Sequence, residues 1–272
     1  MWLSHRQGVE KHDGSHTDRI DQVTPLQLST ATDDPGRELA PLLKPDVDLQ
    51  GRARRGYFDL FDEARRGELH RDQGMFRFRA LPPIYERLWR PLISRMIFGR
   101  RLDVLEEQRI VLSDLAVSEG GRVIDIGCGT GNYTRKLAQA AGDGIVVGVD
   151  ASEAMISAAA RRGGGSNLVY LRGDGCALPF LDGLFDAVCS VGVIHMVDDP
   201  MAMLDEMTRM LSPGGRLAVM ATCEKTNVPR VRGQMTAFGR EELTRGLAER
   251  GLIGVRQRVV SRGQFVSGQM PK

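Results

Sequence analysis

The sequence predicts an α/β protein with a doubly wound sheet, and three observations support this fold class. Short apolar runs rich in β-branched residues recur in the second half of the chain, as at residues 123–126 and 145–149. Segments with helical character separate these runs, and such alternation is typical of a parallel sheet covered on both faces. Three glycines, Gly127, Gly129 and Gly131, follow the first run and predict a tight strand-to-helix turn that a ligand can approach closely.

The order of the elements can be followed from the first run to the C-terminus. The expected helices lie at residues 132–141, after Ser152, after Asp199 and at 238–251. The five runs at 123–126, 145–149, 168–171, 185–191 and 216–220 are predicted strands. Two β-rich runs, at 253–260 and 264–270, are predicted to form a closing antiparallel hairpin. The sheet therefore has seven expected strands.

Composition narrows the class of protein. With 272 residues and a formal charge of only +2, the whole chain offers no argument for nucleic-acid binding. Its four cysteines have no metal-ligand spacing and are predicted to be free thiols, so we expect no metal site. No apolar stretch approaches the roughly 18 residues that span a bilayer. These features predict a soluble, cytoplasmic protein.

Three regions differ in character. Residues 1–50 have few apolar residues and several prolines, which predicts a flexible N-terminal arm. Residues 51–116 are expected to form a helical cap or lid, and residues 117–272 the main domain. A helix is predicted from Pro82 to about Gly99, with an apolar face that includes Leu88, Leu92 and Met96. In a second predicted helix, at 103–116, Leu105 and Leu115 are among the candidate inner positions.

The cap region is rich in arginine and aromatic residues, and three interpretations of it are open. Residues 52–101 contain thirteen arginines against six acidic residues, and eight of the fifteen aromatics in the chain. In the first interpretation the region packs on the main domain, with its arginines solvated or paired. It could instead act as a lid whose aromatics, such as Tyr85 and Trp89, wall an acceptor pocket. Contact with an anionic surface, either lipid headgroups or RNA, is the third interpretation.

The glycine turn departs from the dinucleotide fingerprint G-x-G-x-x-G. Its third glycine comes one position early, and Asn132 stands where the fingerprint requires glycine. Asp125 lies inside the preceding strand, where a carboxylate can attract a cationic amine. This pattern, Asp125-x-Gly127-x-Gly129-x-Gly131, resembles motif I of the class I S-adenosylmethionine (AdoMet) methyltransferases.

Further segments strengthen this resemblance. Asp150 ends the second strand, at the place where a carboxylate accepts hydrogen bonds from ribose hydroxyls in both NAD and AdoMet proteins. The segment from Asp150 through Ala151 to Met155 resembles the one that follows in the family, where the methionine position packs against adenine. Asp174, followed by Gly175, matches the acidic residue that accepts from the adenine amino group. An Asx-turn is the alternative role for Asp174.

The end of the fourth strand is expected to face the transferred methyl group. Val191 lies at this end, and His195 follows it in the loop that would face the acceptor. Histidine is the side chain best suited to proton transfer near neutral pH, so His195 is the candidate catalytic base, with a structural role as the alternative.

From about Gly121 to Gly251 the chain resembles the methyltransferase type 11 group, close in style to the ubiquinone and menaquinone C-methyltransferases. The resemblance implies AdoMet as cofactor, a sheet of order 3-2-1-4-5-7-6 with an antiparallel last hairpin, and methyl transfer to a small lipophilic or aromatic acceptor. Nucleic-acid bases are disfavoured as acceptors because Ser190-Val191-Gly192-Val193 replaces the tetrad of the base-amino methyltransferases.

Other functions stay open at this point. The basic cap could recruit RNA or protein as acceptor, or allow peripheral contact with a membrane. The protein could bind AdoMet without transferring its methyl group, or it could be an NAD-dependent oxidoreductase. Nothing in the sequence predicts the oligomeric state.

Overall fold

The computed structural model describes residues 35–61, 88, 90–223 and 238–272. Its strands are β1 (Ala53–Arg54), β2 (Tyr57–Asp59), β3 (Arg122–Ile126), β4 (Ile145–Asp150), β5 (Leu168–Arg172), β6 (Phe185–Val191), β7 (Leu211–Thr222), β8 (Ile253–Val260) and β9 (Gly263–Gln269). Its α-helices are α1 (Pro35–Leu39), α2 (Arg90–Phe98), α3 (Val104–Leu115), α4 (Asn132–Ala141), α5 (Glu153–Arg162), α6 (Pro200–Arg209) and α7 (Glu242–Glu249). Short 3₁₀ helices lie at Ala40–Leu42 and Ile194–Met196.

The strands form one mixed sheet in the order β1-β2-β5-β4-β3-β6-β7-β9-β8. From β5 to β8 this is the predicted order 3-2-1-4-5-7-6, and β9 pairs antiparallel with both β7 and β8. The central strands β5, β4, β3, β6 and β7 are parallel. The predicted doubly wound sheet is confirmed, but the predicted count of seven strands is wrong, because the described residues form nine.

The two additional strands lie within residues 51–116, where a helical cap or lid is expected, so this part of the cap region is not helical. Strand β2 pairs parallel with β5, placing Phe58 beside Leu171, and β1 pairs antiparallel with β2. A buried ion pair fastens this edge, with Arg172 Nη1 3.2 Å from Asp59 Oδ2. The Arg172 guanidinium also lies 4.9 Å from the centre of the Phe61 ring. Buried and half-buried residues alternate from Tyr57 to Phe61, and that period suits a strand better than a helix.

Part of the predicted flexible arm also belongs to the fold. Leu39, Leu42 and Leu43 are buried in the main hydrophobic core, and Lys44 N donates to Pro179 O at 2.8 Å. The prediction of a flexible arm is therefore wrong from residue 35 onward. The few leucines of this otherwise polar segment are clustered, so they bury together although its average composition is poor in apolar residues.

Helices α2 and α3 pack on the opposite face of the sheet from the main core. Helix α2 buries Ser94, Ile97 and Phe98, and the Phe98 ring stacks on Phe265 with centroids 5.4 Å apart. Leu92 of this helix is instead 51% exposed, and Leu88, which precedes the helix, is 66% exposed. Helix α3 begins at a capping box between Asp103 and Glu106. Leu115 of this helix is buried as predicted, whereas Leu105 is exposed.

Within the described ranges, no helix has both the length and the apolar character needed to cross a membrane.

Candidate functional site

The candidate site is a cavity at the carboxyl ends of the central strands. The chain order of the sheet reverses at β3, which lies between β4 and β6, and ligands of open α/β sheets bind in the crevice at such a switch point. The cavity holds about 1140 Å³ of empty space when its open mouth is included. Nine of the predicted cofactor residues line it: Asp125, Gly127, Gly129, Asp150, Ala151, Met155, Asp174, Gly175 and Val191.

The glycine turn forms the floor of this cavity. All three glycines have positive φ, at 76° for Gly127, 57° for Gly129 and 79° for Gly131. A Cβ on Gly127 would lie 2.4 Å from a Val193 methyl group, whereas a Cβ on Gly129 would meet no atom within 4 Å. Gly129 therefore leaves open space at the backbone, as a cradle for a closely approaching ligand requires.

Gly131 has a different role from the one predicted. It is not among the cavity-lining residues, and the Tyr170 hydroxyl oxygen lies only 2.2 Å from where its Cβ would be. Its N–H donates to Cys128 O at 3.0 Å, which closes the turn before α4. The third glycine is thus required for packing and turn geometry rather than for facing the cavity.

Backbone N–H groups on both sides hold the Asp150 side chain at the cavity wall. Its Oδ2 accepts from Gly129 N and its Oδ1 from Ser152 N, both at 2.8 Å. Burial raises the pKa of Asp150 to about 6, although these two backbone donors oppose the rise. Each carboxylate oxygen can accept more than one hydrogen bond, so both keep capacity for a ligand hydroxyl.

Asp125 is more deeply buried than Asp150, with 2% of its surface exposed. Its Oδ2 accepts from the Thr134 hydroxyl at 2.8 Å, and its Oδ1 accepts from the Cys189 thiol at 3.6 Å. Burial raises the pKa of Asp125 to about 6. The carboxylate thus links β3 to α4 and β6 while lining the cavity. Its attraction for the amine of a ligand stays a prediction.

Another part of the cavity lining contains the residues predicted to contact adenine. Ser152 caps α5, as predicted, by accepting from Met155 N at 3.4 Å, and Met155 is buried against the cavity. Asp174 Oδ1 accepts from Cys176 N at 2.9 Å, which is the Asx-turn left open by the sequence. Because Asp174 also lines the cavity, the turn fixes a carboxylate there and does not exclude the adenine role.

Apolar residues after β6 form another wall. Val191, Val193, Met196 and Val197 line it, and none of them can titrate. His195 lies in the 3₁₀ helix between them but is only 3% exposed and is not part of the cavity lining. Burial lowers its pKa to about 4, which keeps the imidazole neutral. The structure therefore does not bring the predicted base to the cavity, because the 3₁₀ turn directs His195 into the protein.

The predicted acceptor residues Tyr85 and Trp89 lie outside the described residues, so the lid remains a prediction. Sequence reasoning missed Arg90, Tyr133 and Glu107. Arg90 and Tyr133 line the cavity, and both donate to the buried carboxylate of Glu107. A signal for this cluster was present: Glu107 shares a helical face with Val111 and Leu115, and a charge on a buried face requires a partner.

All four cysteines are free thiols, as predicted. Among the described residues, no three His, Cys, Asp or Glu side chains are grouped in a way that could hold a metal ion.

Comparisons with known proteins agree with this site. Residues 124–219 match the methyltransferase domain family Methyltransf_11. A demethylmenaquinone methyltransferase of Staphylococcus aureus is 36% identical over 118 residues, which are 43% of this chain and 49% of the relative. The chain thus spans about half the length of this curated relative.

Solved structures share the fold at lower identity. An AdoMet-dependent methyltransferase from Aquifex aeolicus superposes with a TM-score of 0.51 at 21% identity, covering 65% of this chain and 92% of its own. A geranyl diphosphate C-methyltransferase from Streptomyces coelicolor gives a TM-score of 0.55 at 16% identity, covering 62% and 76%. Residues 124–219 therefore match a methyltransferase domain of the type 11 group, and S-adenosylmethionine is the cofactor of this domain.

Proposed function

We propose that the protein transfers a methyl group from AdoMet to a small lipophilic or aromatic acceptor. The observation that carries this proposal is the wall formed by Val191, Val193, Met196 and Val197 at the carboxyl end of β6. This wall adjoins the glycine turn, since Val193 packs against Gly127. An acceptor held there would be in apolar surroundings, as a lipophilic molecule requires.

The cofactor supplies an electrophilic methyl group on a sulfonium, and the protein supplies its placement. We infer that Asp150 accepts from the ribose hydroxyls and Asp174 from the adenine amino group, while Met155 packs against the adenine ring; all three line the cavity. The open backbone at Gly129 admits the donor closely to the turn. With AdoMet bound, the acceptor's electron pair would form the bond to the methyl carbon as the carbon–sulfur bond breaks, leaving S-adenosylhomocysteine, and the acceptor's proton would pass to solvent. Alignment of the two reactants in a dry cavity supplies most of the acceleration.

The chemistry of the wall also restricts the acceptor. Because its residues carry no titratable side chain, the wall offers no base for an acceptor of high pKa. Phenols and electron-rich aromatic carbons can release their proton to solvent during transfer, whereas an amine that is protonated at neutral pH has no electron pair free for the methyl group. Two similar proteins support this class by their names, one a demethylmenaquinone methyltransferase and the other a geranyl diphosphate C-methyltransferase.

The proposal is tested by following label transfer from methyl-tritiated AdoMet to three acceptor classes. The panel contains demethylated quinols and substituted phenols, bulk RNA, and a protein extract. We expect turnover with members of the first class only. Turnover with RNA or protein alone would contradict the lipophilic acceptor, and binding of S-adenosylhomocysteine without transfer to any class would contradict methyl transfer.

A variant of the wall tests its role directly. Met196→Gln replaces an apolar lining residue by a polar one of similar size, and burial of a methionine side chain is worth about 1.5–3 kcal/mol. We expect kcat/KM for a lipophilic acceptor to fall about tenfold, while the affinity for S-adenosylhomocysteine stays within about twofold. Met96→Gln is the matched control, since Met96 is partly exposed on α2 and does not line the cavity.

A further inference from the structure

Helix α2 has a second apolar face, which does not pack on the sheet. Its inner face buries Ile97 and Phe98. On the outer face, Leu92 and Met96 are four residues apart, so both side chains lie on one side of the helix. Both are exposed, and so is Leu88, which precedes the helix at the same spacing. These three residues form the outer stripe, and neighbouring exposed apolar residues with a polar border mark an interaction surface.

Positive charge borders the outer stripe. Arg95 lies beside the stripe on α2, Arg100 and Arg101 follow the end of the helix, and all three are exposed. Among the described residues, none of these three arginines forms an ion pair. Residues 90–102 include no acidic residue, and the next one, Asp103, is used in capping α3. The complementary partner is therefore an apolar surface that carries anionic groups.

A bilayer surface has this chemistry, because anionic headgroups lie directly above acyl chains. A helix with leucine and methionine on one side and arginines along the border can lie in this interface, with its apolar side about 5–10 Å deep. Each arginine near an anionic leaflet adds to the attraction. Single-stranded RNA is a poorer match, since it stacks its bases on aromatic side chains and the outer stripe contains none.

The outer stripe also lies close to the ligand cavity. Arg90 lines the cavity and is two residues from both Leu88 and Leu92. The stripe therefore runs within about one helix diameter, roughly 10 Å, of the cavity wall. A surface that contacts the stripe would lie beside the open mouth of the cavity.

We propose that the outer stripe and its bordering arginines bind the surface of an anionic bilayer, with α2 lying in the plane of the interface. The contact itself does not depend on the acceptor. Its use rests on the function proposed above: a lipophilic acceptor dissolved in the bilayer is then presented beside the cavity. RNA, a second copy of the chain and another segment of the same chain are the competing occupants of the stripe, and the experiment distinguishes them.

The test is flotation of the full chain with vesicles. One set contains phosphatidylcholine alone, and the other contains phosphatidylcholine and phosphatidylglycerol in equal parts. We expect binding to the mixed vesicles only, weakened by added salt. Leu92→Gln should lower the partition coefficient at least about tenfold, because it removes a leucine from the apolar contact. Arg95→Gln should lower it about fivefold at low salt.

Matched controls separate this surface from general stickiness. Ile253→Gln is the control for Leu92→Gln, because Ile253 is 55% exposed and Leu92 is 51% exposed. Ile253 lies at the end of the β8–β9 hairpin opposite to Gly263, on which α2 packs. Arg161→Gln is the control for charge, since Arg161 is exposed near the end of α5, which packs on β4 and β5. Both controls should bind the mixed vesicles as the unmodified protein does.

Several outcomes would overturn the membrane contact. Absence of binding to the mixed vesicles, equal binding to both vesicle sets, or equal losses in Leu92→Gln and Ile253→Gln would each contradict it. RNA binding that Arg95→Gln weakens, without vesicle binding, would assign the surface to nucleic acid. A dimer that Leu92→Gln dissociates would assign the stripe to a second copy. A lower unfolding free energy of Leu92→Gln in urea would mean that another segment of the chain covers the stripe.

The contact and the proposed function can fail separately. Leu92→Gln should leave turnover of a water-soluble phenol unchanged, because Leu92 does not line the cavity. Vesicle binding without turnover of any lipophilic acceptor would refute the proposed function and support the membrane contact. Turnover of a lipophilic acceptor without vesicle binding would do the reverse.

Discussion

Replacing Gly129 by alanine is expected to weaken ligand binding while leaving the protein folded. Gly129 has a φ of 57°, and left-handed backbone destabilises an alanine by about 1–2 kcal/mol. The added Cβ meets no protein atom within 4 Å, so no packing clash adds to this penalty. Because Gly129 lines the cavity, the methyl group would instead occupy space next to the ligand.

Gly127→Ala is the comparison that makes this prediction quantitative. Its φ is 76°, and its Cβ would lie 2.4 Å from Val193 Cγ2, so overpacking of about 1–3 kcal/mol adds to the backbone penalty. We therefore expect a loss of unfolding free energy of roughly 2–5 kcal/mol for Gly127→Ala. The corresponding loss for Gly129→Ala should be only about 1–2 kcal/mol.

Two assays on the same samples measure these effects. Urea denaturation gives the unfolding free energies, and calorimetry with S-adenosylhomocysteine gives the affinities. Gly129→Ala should lose at least about tenfold in affinity while remaining folded, a change of about 1.4 kcal/mol. A folded Gly129→Ala variant with unchanged affinity would refute the idea that the ligand approaches this backbone.

Three further predictions follow from other residues. Burial raises the pKa of Asp125 from 3.8 to about 6, so the unfolding free energy should fall as pH rises from about 4 to 6. At 1.36 kcal/mol per pKa unit, Asp125→Asn should remove about 3 kcal/mol of that fall, measured by urea titrations at each pH. Asp59→Ala removes the carboxylate paired with the buried Arg172 and should reduce the unfolding free energy by about 3–5 kcal/mol. Asp46→Ala, at an exposed position, should change the unfolding free energy little, and equal effects of the two variants would contradict a stabilising role for the β2–β5 ion pair. Peripheral contact with a membrane predicts that Leu92→Glu, on the exposed face beside Arg95, lowers cosedimentation with anionic vesicles, and an unchanged bound fraction would contradict that contact.

The parts of the structure that were predicted well depend on local sequence. Asp150 lies at the cavity because a β-rich run delivers it to the end of a strand, and the turn that holds it is specified by closely spaced glycines. The order of the central strands follows from the family resemblance together with the alternation of strand and helix.

The parts that sequence reasoning missed depend on contacts between distant segments. Strand β2 joins the sheet beside β5, where Asp59 meets Arg172, which is 113 residues away. The cluster of Arg90, Glu107 and Tyr133 joins three helices. His195 was assigned to the cavity because its loop follows β6, but only the three-dimensional course of the 3₁₀ helix shows that its side chain is buried.

The central claim is that the cavity at the switch point between β4, β3 and β6 holds AdoMet. Calorimetric titration of the unmodified chain with S-adenosylhomocysteine, and separately with NADH, tests it most directly. Saturable micromolar binding of S-adenosylhomocysteine, no binding of NADH, and a large loss of affinity in Asp150→Ala are the predicted results. Binding of NADH in place of S-adenosylhomocysteine, or unchanged affinity for S-adenosylhomocysteine in Asp150→Ala, would contradict it.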